Sequence, residues 1–261
     1  MRVNHNPTIK NMPNNRVQVR DVQISIILDW LHAGILDAHQ SGKSSLFYGI
    51  VLAGIGILIH HFFAGNYWLL AGLTTGFFLL GPFLAMGLYD LSRRIEQGES
   101  PALIPTLTAW CPNVLNIAIF AILLLVVLLI WTWVSMNIFA YYFNGAAPTF
   151  MDVVLNVIKL KQPIFTLIYF AVGGFFAVLV YAISVIAMPL MLDQNANAMT
   201  AALTSLRACA RNPLTMLFWA FFIVVLIGFG LATNFLGLIL TMPVVGHASW
   251  HAYRGLIASK I

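Results

Sequence analysis

Charge is what this chain has least of. Only 8% of its 261 residues are Asp, Glu, Lys or Arg, and 61% are apolar. An average soluble domain is roughly a quarter charged. So few charges cannot clothe a soluble fold, so the sequence reads as an integral membrane protein with little mass outside the bilayer. That excludes a secreted domain, a disordered chain and a nucleic-acid binder. Cysteine is also scarce. Cys111 and Cys209 are the only two, and their separation suggests neither a metal spacing nor a disulfide framework. No Walker loop, nucleophile elbow or Cys-His pair is present. Gly42-Lys43-Ser44 ends like a P-loop, but the upstream glycine and the preceding strand are missing. No cleavable signal is visible. The first apolar run starts near Leu46, too late for a signal h-region, and is expected to act as an uncleaved anchor.

What is present is a series of apolar runs near 46–64, 67–89, 113–140, 164–191, 213–230 and 234–252. About 20 apolar residues cross the hydrocarbon as a helix. The predicted fold is therefore all-α, a polytopic membrane bundle of six transmembrane helices. Residues 1–23 form a basic, flexible N-terminal segment, and 24–261 a single six-span membrane domain. The last two runs are short, broken near Gly230 and Asn234, and fit a shallow hairpin as well; either way they leave on one side. Eleven of the thirteen Lys and Arg residues fall on one side of this layout, and Lys159 and Lys161 on the other. Basic residues gather in cytoplasmic loops, so both termini are expected in the cytoplasm, with the protein in the cell inner membrane.

Three units are expected, each an amphipathic helix followed by a hairpin. In the first, Ile24, Ile27, Leu28, Leu31 and Ile35 recur at helical spacing. Asn212-Pro213 and Cys111-Pro112-Asn113 read as helix restarts, with Asn as N-cap. The hairpin exits echo one another. Pro82 is followed by Tyr89, Asp90 and Arg93, and Pro243 by Trp250, His251 and Arg254 at the same offsets. Pro189 leads to Asp193. Small residues at Gly49, Ala53 and Gly56, at Gly72 and Gly76, and at Gly173, Gly174 and Ala177 predict close helix contacts. Phe150, Val153, Val154 and Val157 suggest a short helix on the outer surface.

Buried charge within a membrane is the usual functional pointer, and none sits at mid-span. Polar residues collect instead at helix ends. Asp37, Asp90, Arg93, Asp193, Arg207, His247, His251 and Arg254 form a predicted cytoplasmic polar cluster. Mutual pairing that holds the amphipathic helices down accounts for it. His247 and His251 share a helix face at a spacing that supplies two metal ligands. Two ligands close no site, so no metal or other cofactor is expected, and no catalytic residue can be named.

Several stretches resemble one family. They are Trp30-Leu31, Gly34, Asp37, Ser45-Leu46 and Tyr48-Gly49; Gly81-Pro82-Phe83 through Gly87-Leu88-Tyr89-Asp90-Leu91-Ser92-Arg93-Arg94; Pro189-Leu190, Asp193, Ser205, Arg207, Asn212-Pro213 and Trp219; and Pro243, Gly246-His247-Ala248, Trp250-His251 and Tyr253-Arg254. Together they are similar to the bacterial integral membrane proteins called domain of unknown function 2189. The resemblance implies an inner-membrane protein whose activity is not established. Some members carry the label cytochrome c oxidase subunit I. That chemistry needs buried axial ligands for haem iron, and no histidine here is expected at mid-span.

Two functions follow. The first is a non-enzymatic accessory or envelope-homeostasis protein whose partners are the lipid bilayer and other membrane proteins. The second is a small transporter or channel built from three hairpins. A polar cavity between the units, with Asn116, Thr74, Thr75 or Ser184 on its wall, would mark the second. Reporter fusions at residues 43, 100 and 205 and at the C-terminus should all report the same face; one on the opposite face breaks the layout.

Overall fold

The computed structural model describes residues 17–63, 83–143 and 162–258, and these are helical apart from short connections. The helices are α1 (Ile26–Ser41), α2 (Lys43–Phe63), α3 (83–96), α4 (Val114–Tyr142), α5 (Pro163–Ser184), α6 (Ala187–Gln194), α7 (Ala198–Arg211), α8 (Pro213–Ala232) and α9 (Leu238–Leu256). A helical turn at Leu103–Thr106 and a 3-10 turn at Cys111–Asn113 lead into α4. Among the described residues, four stretches are long and apolar enough to cross a bilayer: Lys43–Phe62, Leu103–Tyr142, Pro163–Gln194 and Pro213–Ala232. Most of the expected second span, with Gly72, Gly76, Thr74 and Thr75, lies outside the described residues. So do the outer-surface helix near Phe150 and both Lys159 and Lys161.

The expected sixth span has a different character. Twelve of the nineteen residues of α9 are buried within the protein. It is the central helix, against which α1, α2 and α8 pack. It follows a tight turn in which Asn234 and Phe235 take positive φ, and Thr233 Oγ1 accepts from the Gly237 amide at 2.8 Å. Pro243 lies inside α9 and leaves the Ile239 carbonyl without its usual donor four residues on. Gly49 brings the α2 backbone to that carbonyl. A Cβ at Gly49 would lie 2.4 Å from the Ile239 oxygen, and one at Gly34 of α1 would lie 2.6 Å from the Ala248 nitrogen. Gly56 receives the Phe235 ring in the same way. The stripe of Gly49, Ala53 and Gly56 is thus the seat of α9. Of the pair on α5, Gly173 meets Trp131, whereas Gly174 faces open space.

Helix α1 divides the expected apolar stripe. Its buried face is Ile27, Trp30, Gly34, Asp37 and Ser41, while Ile24, Leu28 and Ile35 are exposed. Small residues on the inward face let α1 approach α9 closely. Trp30 meets Trp219 of α8 edge to face, with centroids 5.8 Å apart.

Both asparagines stand at the expected N-cap positions, but neither side chain bonds an amide of its own helix. Asn113 Nδ2 donates to the carbonyls of Met191 and Ala196, each at 3.0 Å. Asn212 accepts from the Val22 amide at 2.8 Å and donates to the Arg20 carbonyl at 2.9 Å. These carbonyls belong to the last turn of α6 and to the non-helical segments before α7 and α1, where a helix does not supply the partner and the amide side chains serve them. The segment expected to be flexible enters the described residues at Val17. From there it is held by this asparagine, by a bridge between Val19 and Ile257, and by the Arg20 amide donating to Leu256 at 2.8 Å.

Gly49→Ala should therefore destabilise the protein by about 1–3 kcal/mol, the usual cost of overpacking. Gly54→Ala, where nothing lies within 4 Å of the added Cβ, should leave the melting temperature in detergent unchanged.

Candidate functional site

The structure divides the expected polar cluster into a buried knot and an open cleft. The knot gathers on His247 of α9, which is fully buried. Its Nδ1 lies 2.7 Å from Ser92 Oγ of α3. Its Nε2 lies 2.6 Å from Ser45 Oγ of α2 and 3.3 Å from Ser41 Oγ at the end of α1. Ser92 Oγ donates to Asp37 Oδ2 of α1 at 2.6 Å, and His251 Nε2 reaches the same oxygen at 2.8 Å.

Counting protons fixes the role of Nδ1. A hydroxyl carries one hydrogen, and Ser92 gives its hydrogen to the Asp37 carboxylate. His247 Nδ1 must then be the donor to Ser92. Ser41 donates to the Asp37 carbonyl, and its oxygen lies 2.7 Å from Ser45 Oγ, so the Ser45 hydrogen is open to both Ser41 and His247 Nε2. Burial of the ring disfavours its charged form, which favours a neutral imidazole with Nε2 accepting from Ser45; both nitrogens are bonded. Burial works to raise the Asp37 carboxyl; the hydrogen bonds from His251 and Ser92 outweigh it and hold it below the ordinary carboxylate value. The stability this adds is present above that ordinary value and is lost as pH falls through the lower folded one.

Ser45, His247, Ser92 and Asp37 have the bonding order of an activated nucleophile, a base and its orienting groups. Ser45 is 1% exposed and His247 0%, so a substrate carbonyl has no approach to Ser45 in this arrangement. The knot ties α1, α2, α3 and α9 together. Among the described residues, no group of three or more His, Cys, Asp or Glu side chains is placed to hold a metal ion.

The second group lies where α3, α6 and α9 end. Asp90 is fully buried and is paired with Arg93 and with Arg94, the latter at 2.9 Å. Arg93 also donates to the Leu192 carbonyl of α6 at 3.2 Å. Arg254 Nε donates to Glu96 at 2.9 Å, and Trp250 Nε1 donates to the same carboxylate at 3.1 Å. Tyr253 donates to Asp193 at 2.5 Å. Between them opens a polar cleft of about 510 Å³. Arg207 belongs to neither group; it is exposed on α7. A second, apolar cavity of about 230 Å³ lies against Phe83 and Leu124.

Sequence reasoning found the histidines and carboxylates but missed Ser41, Ser45, Ser92, Glu96 and Tyr253. Ser41 and Ser45 stand four apart and Ser92 falls two after Asp90. Serine inside an apolar helix was the available signal.

Residues 69–193 match the model of the family described as predicted integral membrane protein (DUF2189). The stretch from Gly81 to Arg94, which carries much of the resemblance read from the sequence, lies inside that match. No curated protein and no solved structure matches the chain.

Ser92→Ala should cost about 1–3 kcal/mol, because it strands two buried partners. Changing exposed Ser25 to Ala is the control, and chemical or thermal melting is the readout. His247→Ala with His251→Ala should leave metal content unchanged; a stoichiometric loss of zinc or iron would overturn the structural role of the pair.

Proposed function

We propose that this chain is a non-enzymatic accessory or envelope-homeostasis protein of the inner membrane, which binds membrane partners or lipid through its polar end. One observation carries the reading: the polar groups gathered on His247 and on Asn113 and Asn116 are bonded within the protein, while Trp219 Nε1, Thr166 Oγ1 and Thr241 Oγ1 are buried without a partner. The His247 knot uses both ring nitrogens. Asn116 donates to Asn113 Oδ1 and receives the Ala198 amide, and Ser184 bonds back to the Val180 carbonyl. A transporter or channel built from three hairpins has less support, because Asn116 and Ser184 do not line either cavity described above. Thr74 and Thr75 lie outside the described residues.

The proposed topology keeps both termini in the cytoplasm with an even number of membrane segments. Helices α8 and α9 form its last hairpin, and a shallow depth fits the geometry. Ser45 is level with His247, and Gly56 meets Phe235 at the hairpin tip. Eleven residues of α2 separate those levels, about 17 Å at 1.5 Å per residue. The hydrocarbon core is about 30 Å thick.

Three parallel units remain the proposed plan, and one relation supports it. Each outgoing helix bonds to the segment that opens the next unit. Tyr48 of α2 bonds to Thr106 at 2.6 Å. Asn113 and Asn116, at the start of α4, hold the segment leading into α7. Asn212 and Thr215, at the start of α8 and at the same spacing, hold residues 20–22 ahead of α1. The order runs from first to second to third and back to first. The polar cluster then lies at the common cytoplasmic end, where the His247 knot joins α1, α2, α3 and α9.

Purification from native membranes should recover a stoichiometric membrane partner or a defined lipid. Proteoliposomes of the purified chain should show no ion or small-solute flux above empty vesicles. Saturable flux would favour the transporter.

A further inference from the structure

The cleft where α3, α6 and α9 end carries hydrogen-bonding capacity that its own contacts leave unused. Arg93 reaches it from α3 and Arg254 from α9. Arg93 spends one hydrogen on the Leu192 carbonyl and one on Asp90. A guanidinium has five. Arg254 gives Nε and Nη2 to Glu96, while its Nη1 lies 3.7 Å from Asp193, beyond hydrogen-bond range. Spare cationic donors therefore stand on two walls.

Spare acceptors stand on the third. Gln194 Nε2 donates to the Tyr253 hydroxyl at 3.1 Å. That amide cannot be turned over, because Tyr253 gives its only hydrogen to Asp193. Gln194 Oε1 is thus a buried acceptor with no donor. Asp193 engages these partners through Oδ2 alone. The lining holds two guanidiniums and two carboxylates, so neither a lone anion nor a lone cation is favoured. Its volume of about 510 Å³ suits a small ligand.

We propose that this cleft binds a small zwitterion carrying a primary ammonium and a phosphate, the chemistry of an ethanolamine headgroup. The phosphate bridges Arg93 and Arg254, since its oxygens can serve two guanidiniums at once. The ammonium donates to Asp193 Oδ1 and, once a shift of the Gln194 side chain uncovers its buried oxygen, to Gln194 Oε1. The proposal deepens the lipid-binding reading above and rests on its bilayer placement.

The test is calorimetric titration of the full chain in detergent with glycerophosphoethanolamine, glycerophosphocholine and inorganic phosphate. The ethanolamine ester should bind saturably and at least about ten-fold more tightly than either of the others, because a trimethylated nitrogen has no hydrogen to donate. Gln194→Leu should abolish that preference; the wild-type series stands without it. Vesicles then identify the source. A higher melting temperature in phosphatidylethanolamine than in phosphatidylcholine assigns the site to lipid; equal temperatures with tight binding of the soluble ester assign it to a free zwitterion. Equal binding of the choline ester or of phosphate, or no saturable binding, would overturn the proposal. Failure here leaves the membrane topology standing, because the titration needs no bilayer.

Discussion

A neutral imidazole with both nitrogens bonded in a dry interior is the constraint on which this fold depends. His247 cannot be left without partners, because an unmet buried polar group costs about 1–3 kcal/mol. Its partners come from three other helices: Ser92 from α3, Ser45 from α2, and Ser41 and, through Ser92, Asp37 from α1. Satisfying one side chain therefore sets the rotation of four helices at once. Glycine makes the approach possible. At Gly34 and Gly49 a single methyl group would collide with the α9 backbone, and without that proximity the serines could not reach the ring. The hydrogen bonds specify which way α9 faces, and the glycines decide how near its neighbours come.

The same economy separates the two polar regions. In the knot, the geometry uses each ring nitrogen and leaves no route for a substrate. At the ends of α3, α6 and α9, ion pairs such as Arg254 with Glu96 remain partly exposed. Exposed pairs of this kind contribute little to stability, so their arrangement around a cleft is better understood as a surface for recognition. The proposed accessory role suits polar groups that are paired within the described part of the bundle and a cleft at its polar end. The family match, described only as a predicted integral membrane protein, agrees with placement in a bilayer.

How much of this was legible in the sequence depends on the kind of force involved. Composition sufficed for the helical membrane class, since apolar runs of 20 residues have few other uses. The Gly49, Ala53 and Gly56 stripe was legible because small residues at helical spacing report close packing. The α1 stripe was legible as helical spacing, but which of its residues turn inward was not: Ile27 is buried, whereas Ile24, Leu28 and Ile35 are exposed. Asn113 and Asn212 looked like caps because their position before a helix is the local signal; the long-range carbonyls they serve are invisible until the chain folds. Trp250, His251 and Arg254 echoed Tyr89, Asp90 and Arg93, yet the partners differ. Asp90 pairs within its own helix, whereas His251 pairs with α1. Spacing carried the shared end of the bundle, not the individual bonds.

The most direct test of the central claim is the tautomer of His247, read from nitrogen chemical shifts in a sample labelled at histidine nitrogen and assigned with His247→Gln. The account predicts a neutral ring at pH 7 with the proton on Nδ1 and slow exchange with solvent. A ring protonated on Nε2 alone would contradict it, because Ser92 could not then bridge His247 to an ionised Asp37; a ring protonated on both nitrogens would contradict its neutrality.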